Sequence, residues 1–372
     1  MVGALITIGI LLFLVLIHEF GHFLMAKLTG VGVDEFGIGY PPKIFRIGQW
    51  GGTDYTVNAI PLGGFVRLHG DDAETIEDMG SSKTEDDRNK EKPVGSKFSD
   101  QSIPVRLLIV FGGPFINMLF GVLAFAFIYT RTGVPQNYPH PMVETVVVSS
   151  PAEHSGLQKG DSLKFVNGLE TKSSQEFIDA VAAHRGQVIT LTIARSGQDT
   201  VITMPVRTQE ETPQGEGALG ITLTDLYYYK DTWWKLIIPS VQRGLQDSWV
   251  FVQLMAKALQ QIGIQLVARK LPEEFSGPIG IVSDVNKSGF LNNGWESAVI
   301  LAGLISINLG FMNMLPIPPL DGGRGMLTIL EKVIGKKRRQ TLEHYMGTVG
   351  MVVLLGLMAV VSLRDVWKIL PH

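Results

Sequence analysis

The sequence predicts a polytopic α-helical membrane protein with four transmembrane helices, a membrane-associated β-rich loop and an inserted soluble α/β module. Three observations carry this. Four segments, 2–28, 104–130, 298–315 and 346–363, are apolar for long enough to cross roughly 30 Å of hydrocarbon, which takes about 20 helical residues. The 372-residue chain is 45% apolar with a positive mean hydropathy, yet keeps long polar stretches, so membrane and soluble parts coexist. Between the second and third segments, Val188 to Ile193 and Thr200 to Met204 read as strands and Ser174 to His184 as a helix.

In order along the chain, 1–29 is the first span. Its apolar start resembles a signal peptide, but it has no basic n-region and carries charges where a cleavage site belongs, so it reads as a retained helix. Residues 30–70 are rich in glycine and β-formers and predict short strands with tight turns. Residues 71–103 are crowded with Asp, Glu, Lys and Ser and predict a flexible cytoplasmic loop. The second span is 104–131, and the soluble module occupies 141–207. Residues 208–294 form a connector in which Trp233 to Val267 has helical apolar spacing interrupted by Lys235, Arg243, Asp247 and Lys257. That pattern suits amphipathic helices at an interface better than a fifth span. The third span and the segment after it cover 295–325, a basic cytoplasmic loop 326–345, and the fourth span 346–365.

Lys336-Lys337-Arg338-Arg339 joins spans three and four, and the positive-inside rule places it in the cytoplasm. Alternation then puts 30–103 inside and the termini and the module outside. Lys27, Lys43 and Arg46 agree with this, and Arg131 is a minor exception. A net charge of -3 implies no basic surface for nucleic acid, and the absence of cysteine excludes disulfides, thiolate metal ligands and a thiol nucleophile.

The main anomaly is His18-Glu19-Phe20-Gly21-His22, ionisable residues in a span that is aliphatic up to Ile17. Residues four apart share a helix face, so His18 and His22 can converge on one ion, with Glu19 beside its water. Zinc suits imidazole and keeps an open position for water. The bland alternative is snorkelling to the interface, but His18 and Glu19 lie more than two turns deeper than Lys27.

Two histidines leave a catalytic zinc one protein ligand short. Asp321 is the candidate, following span three in Asn313-Met314-Leu315-Pro316-Ile317-Pro318-Pro319-Leu320-Asp321-Gly322-Gly323, where prolines stop the helix. Irregular backbone at membrane depth is tolerated where it lines a wet cavity or is buried in protein. The competing reading is an interfacial turn with Asp321 as a helix cap. Asn308 and Asn313 lie on the same apolar span and are candidates for substrate binding or oxyanion stabilisation, with packing as the alternative. Gly113, Asn117 and Gly121 share a face of span two, which reads as close helix packing with the Asn117 amide as glue.

With these residues in place, the chain resembles the site-2 protease family of intramembrane zinc metalloproteases, of the bacterial type with a single PDZ domain. The shared elements are His18-Glu19-Phe20-Gly21-His22, Pro61-Leu62-Gly63-Gly64-Phe65, Gly112-Gly113-Pro114 with Asn117, Gly277-Pro278-Ile279-Gly280 and Leu320-Asp321-Gly322-Gly323. The resemblance implies that Asp321 is the third zinc ligand and Glu19 the catalytic base. It also implies that 33–70 dips to the active site, where an extended substrate adds as a strand. The module then looks like a PDZ domain through Ser150 to Leu157, Gly160-Asp161 and Val166-Asn167-Gly168, without a clear Gly-Leu-Gly-Phe loop.

The implied enzyme sits in the cytoplasmic membrane and hydrolyses peptide bonds in or near transmembrane segments of single-span proteins, such as anti-sigma factors or signal-peptide remnants. Its active site faces the cytoplasmic side and its PDZ domain is extracytoplasmic. The alternatives are a non-enzymatic PDZ scaffold with a structural zinc, which would need a fourth protein ligand, and a metal transporter, which would spread ionisable residues along several spans.

Overall fold

The uninterrupted aliphatic run at the N-terminus forms one helix, α1 (Val2–Leu28). In the computed structural model, which describes residues 2–71, 94–268 and 289–369, the chain divides into two units. One combines residues 1–128 and 237–372, and the other is the insert 129–236. The Gly277-Pro278-Ile279-Gly280 run and most of the loop expected at 71–103 lie outside the described residues.

In the first unit, three helices among the described residues are long and apolar enough to cross a membrane: Gly3–Leu28, Gly112–Thr132 and Trp295–Asn313. The second expected span is broken. It consists of α2 (Ile103–Val110) and α3 (Gly112–Thr132) on either side of Phe111. Pro114 has no N–H and its ring collides with the carbonyl four residues back, at Val110, so one continuous helix cannot form.

After α1 come two long strands, β1 (Val33–Trp50) and β2 (Thr53–Leu68). Residues 35–38 have partners on both sides, in 54–57 and in 64–67, while 43–50 pairs with 53–58. Gly39 sits at φ +82°, where an added Cβ would lie 2.6 Å from the Ile60 carbonyl oxygen, so this bend requires glycine.

The insert is larger than the 141–207 expected. Its sheet starts with β3 (Val134–Val146) and continues through β4 (Ser162–Val166), β5 (Leu169–Glu170), β6 (Val188–Arg195) and β7 (Gln198–Pro205) to β8 (Ile221–Tyr229). The order is β7-β6-β4-β3-β8, with β5 on β4. The outer strand β8 pairs with β3 and draws both flanks into the sheet. Two short helices, α4 (Pro151–His154) and α5 (Ser174–Ala182), start at Ser150 and Ser173, whose side chains accept from the N–H groups of Glu153 and Glu176. Val166-Asn167-Gly168-Leu169 is a two-residue hairpin with positive φ at Asn167 and Gly168. Alternation buries Ile189, Leu191 and Ile193 against Leu163, Val143 and Phe177.

Among the described residues of the connector the long helix is α6 (Trp233–Val267), with Pro239 inside it. It is followed by α7 (Trp295–Asn313), α8 (Asp321–Ile334) and α9 (Lys336–Ile369). The stretch 326–345 is therefore helical rather than a loop, and the expected fourth span falls within α9. Its charges mislead because several pair with one another inside the protein instead of facing water.

Candidate metal centre

The site begins with a close approach of backbones. Gly21, inside the histidine motif, lies against Gly112: a Cβ on Gly112 would sit 2.6 Å from the Gly21 carbonyl oxygen. Only glycine at both positions lets α1 meet the start of α3 this closely. The next residue, Gly113, backs onto both imidazoles, and a Cβ there would fall 2.8 Å from His18 Nε2.

This contact brings His22 to α2. Its Nδ1 donates to the carbonyl oxygen of Ile109 at 2.9 Å. In an unbroken helix that carbonyl would serve the N–H of Gly113, four residues on. The break that Pro114 imposes frees it for the histidine. With Nδ1 protonated, the lone pair of His22 is on Nε2.

His18 is held by Asn117 of α3, with the amide 3.2 Å from Nδ1. Asn117 is fully buried, and its Oδ1 has no hydrogen-bond partner. Amide oxygen and nitrogen exchange by a flip, after which Oδ1 accepts from Nδ1–H and frees Nε2 as a ligand. The interhelical bond expected of the Asn117 amide is present, and its partner is a histidine of the motif on α1. Gly121 does make the close helix contact, since a Cβ there would lie 3.0 Å from the Gly303 carbonyl oxygen of α7.

Asp321 is the first residue of α8, where the helix N-terminus favours a carboxylate. The prolines turn the chain after α7, and Gly323 lets α8 pack back on that turn, with a Cβ there only 2.5 Å from Pro318 N. Asp321 Oδ2 thereby lies 3.0 Å from His18 Nε2 and 3.5 Å from His22 Nε2, and the two Nε2 atoms are 3.3 Å apart. A tetrahedral ion with bonds of about 2.0–2.1 Å separates its ligands by about 3.3 Å, so this donor triangle fits zinc. The two histidines and the carboxylate form a group that could hold a metal ion.

Glu19, His18, His22 and Asp321 line one cavity of 360 Å³. Its walls include Val66, Arg67 and Leu68 of β2 and Gly347, Thr348 and Met351 of α9. Gly64 approaches Glu19 directly, with a Cβ position 3.3 Å from Glu19 Cγ. Among the described residues, neither Asn308 nor Asn313 lines this cavity. Asn308 is exposed on α7 and Asn313 is its half-buried last residue. Sequence reasoning missed the Ile109 carbonyl and the role of Asn117. The signal for the first was Gly112-Gly113-Pro114, a helix break beside a histidine motif.

A pair of histidines four apart, a following glutamate and a distant carboxylate are the donor set of metallopeptidases. Here the histidines and the glutamate are carried by a helix fit to cross a bilayer and the carboxylate by α8, which places the protein among the membrane metallopeptidases. The chain matches Peptidase family M50 over residues 6–357 and belongs to that family. A protein of Clostridium acetobutylicum bearing a zinc metalloprotease name is 29% identical over 363 residues, which covers 97% of each chain. The zinc metalloprotease RasP of Geobacillus kaustophilus is 27% identical over 419 residues, covering 95% of each. Among solved structures, the PDZ domain of the SdrC-like protein from Listeria monocytogenes is 26% identical and covers 24% of this chain and 93% of that one, with a TM-score of 0.21.

Proposed function

We propose that this peptidase hydrolyses peptide bonds within or near the transmembrane segments of single-span membrane proteins, with zinc held by His18, His22 and Asp321 and Glu19 as general base. The observation that carries the reading is the convergence of three donor atoms within 3.5 Å of one another, two of them and the neighbouring glutamate on a helix fit to span a membrane. When bound, zinc supplies Lewis-acid chemistry, acidifying water and polarising a carbonyl. Glu19 removes a proton from the attacking water and returns it to the amide nitrogen as the C–N bond breaks. Asn117 and the Ile109 carbonyl hold the two imidazoles in the tautomer that points Nε2 inward.

The strand 64–68 borders the same cavity as Glu19, so an unwound substrate segment can pair with it and present its carbonyl. The basic run 336–339 favours a cytoplasmic position for this cavity in a cytoplasmic membrane, with α9 as a fourth span and the insert, read as a PDZ domain, outside. Substrates already shortened outside the membrane, such as anti-sigma factors or signal-peptide remnants, suit such an arrangement. Asn308 and Asn313 take no part in this mechanism, since neither lines the cavity among the described residues.

The test compares Glu19→Gln with wild type on single-span substrates in detergent with zinc. Loss of a general base is expected to slow cleavage by about 100- to 10,000-fold while zinc binding persists. Undiminished cleavage by the variant refutes the mechanism. A wild type that binds zinc but cuts nothing across a broad panel favours the scaffold.

A further inference from the structure

The first unit holds a run of charges that the mechanism above does not use. Arg324, one turn after Asp321 on α8, pairs with Asp71, three residues past the end of β2. Its Nε lies 2.9 Å from Glu343 of α9. Glu343 also pairs with Arg339, whose Nε is 2.9 Å from Glu331 near the far end of α8. Glu331 in turn accepts two hydrogen bonds, at 2.7 and 2.8 Å, from Arg106 of α2. Three acids and three bases alternate in an unbroken chain, and Arg106 and Arg339 are only 2% and 5% exposed.

The two ends of this chain meet the two sides of the metal centre. Arg324 donates its backbone N–H to Leu320, at 3.2 Å, and so belongs to the turn that presents Asp321. Arg106 lies one turn before Ile109, whose carbonyl holds His22. Asp321 and His22 come from elements far apart in sequence, and α8 reaches its place only through the turn after α7. A ligand needs holding to within about 0.5 Å to keep metal affinity. Arg324 is also stacked on the Phe98 ring, 5.0 Å from its centroid, which limits its movement.

We propose that Arg324 is a positioning residue for Asp321, and that the chain Asp71, Arg324, Glu343, Arg339, Glu331, Arg106 sets the spacing of Asp321 from His22. This rests on the reading of His18, His22 and Asp321 as zinc ligands. Removing the guanidinium takes the cation from Asp71 and leaves Glu343 with Arg339 alone, and in a poorly screened interior the Asp71 carboxylate reorients until it finds water or another cation. The first turn of α8 then loses its tie to β2 and α9. The basic run 336–339 thus does more than orient the chain: Arg339 is a buried link, while Lys337 and Arg338 stay exposed.

The experiment uses the full chain in detergent, stripped of metal by a chelator and titrated with zinc against a chromophoric competitor. Thermal unfolding of the metal-free protein is measured in parallel. Arg324→Met is expected to weaken zinc binding by about 10- to 100-fold, the usual cost of losing a group that orients a ligand. Arg324→Lys, which keeps the charge but not the fork, should recover part of that loss, and Lys337→Ala should bind as wild type does. A merely structural role lowers the unfolding temperature and leaves the affinity of the folded protein unchanged, so equal affinity in Arg324→Met overturns the proposal. If Arg324→Met does not fold, Glu331→Gln carries the same expectation from the other end of the chain, with affinity about 10-fold weaker, and wild-type affinity in that variant overturns it equally. A wild type that binds no zinc defeats the ligand reading itself, and the proposal with it.

Discussion

The insert and the unit that carries the metal centre are held together by opposite means. The insert has an apolar interior in which Leu163, Ile189, Leu191 and Ile193 are fully buried between sheet and helix. Its buried acid, Asp161, is matched at the rim by Arg195, which is 34% exposed. The other unit buries Asn117, His18, Arg106 and Arg339, and its helices meet at glycines. Water drives the first arrangement, since apolar side chains gain by leaving it. Between helices in lipid that drive is absent, so backbone proximity and polar pairing supply the specificity.

The sharpest way to break the comparison is to add one methyl group at the glycine contact. Gly113→Ala places a carbon within contact of His22 and 2.8 Å from His18 Nε2, with the α3 backbone unable to retreat because Gly112 already touches Gly21. Displacing the imidazoles by about 1 Å should weaken zinc binding and slow cleavage by roughly 100-fold or more. Gly9→Ala is the control, because nothing lies within 4 Å of a Cβ there. Zinc titration and cleavage of a single-span substrate read both variants, and equal behaviour would mean that the glycines do not set the site.

The second perturbation acts on the insert. Leu191→Ala removes a fully buried side chain and should destabilise that unit by about 2–5 kcal/mol. Amide hydrogen exchange on the full chain should show β4, β6 and β7 opening faster, while zinc affinity stays at the wild-type value. A joint loss of zinc binding would mean that the two units do not fold independently.

How much of this was legible beforehand follows from the range of the interactions. His18, Glu19 and His22 are set by helix spacing, a local rule, and Asp321 by a proline-broken helix end, also local. Strands β6 and β7 announce themselves by alternation. Strand β3 does not, because Val134 to Pro141 contains three prolines and its pairing with β8 spans more than 70 residues of chain. The partner of His18 depends on the rotation of α3 against α1, which no spacing rule supplies, so Asn117 read as packing. Residues 326–345 looked like a loop because Glu331, Arg339 and Glu343 resemble a solvated surface until their partners are seen.

The smallest expected effect is a matter of pH and tests whether the pairing in the metal-bearing unit contributes stability at all. Hydrogen bonds from Arg106 hold the carboxyl of Glu331 below its ordinary value of 4.5, against the opposing effect of burial. A folded value below the unfolded one means that the stabilisation is complete above about 4.5 and fades as pH falls through the lower folded value. Unfolding of the full chain between about pH 6 and pH 3 should therefore show a decline to which Glu331 contributes. Glu331→Gln should be less stable than wild type near neutral pH and should lose less of its stability on acidification, so the two curves converge at low pH. Parallel curves would mean that desolvation cancels the attraction, as it does for many buried pairs. The ionic chain would then position the metal ligands without adding to the stability of the fold.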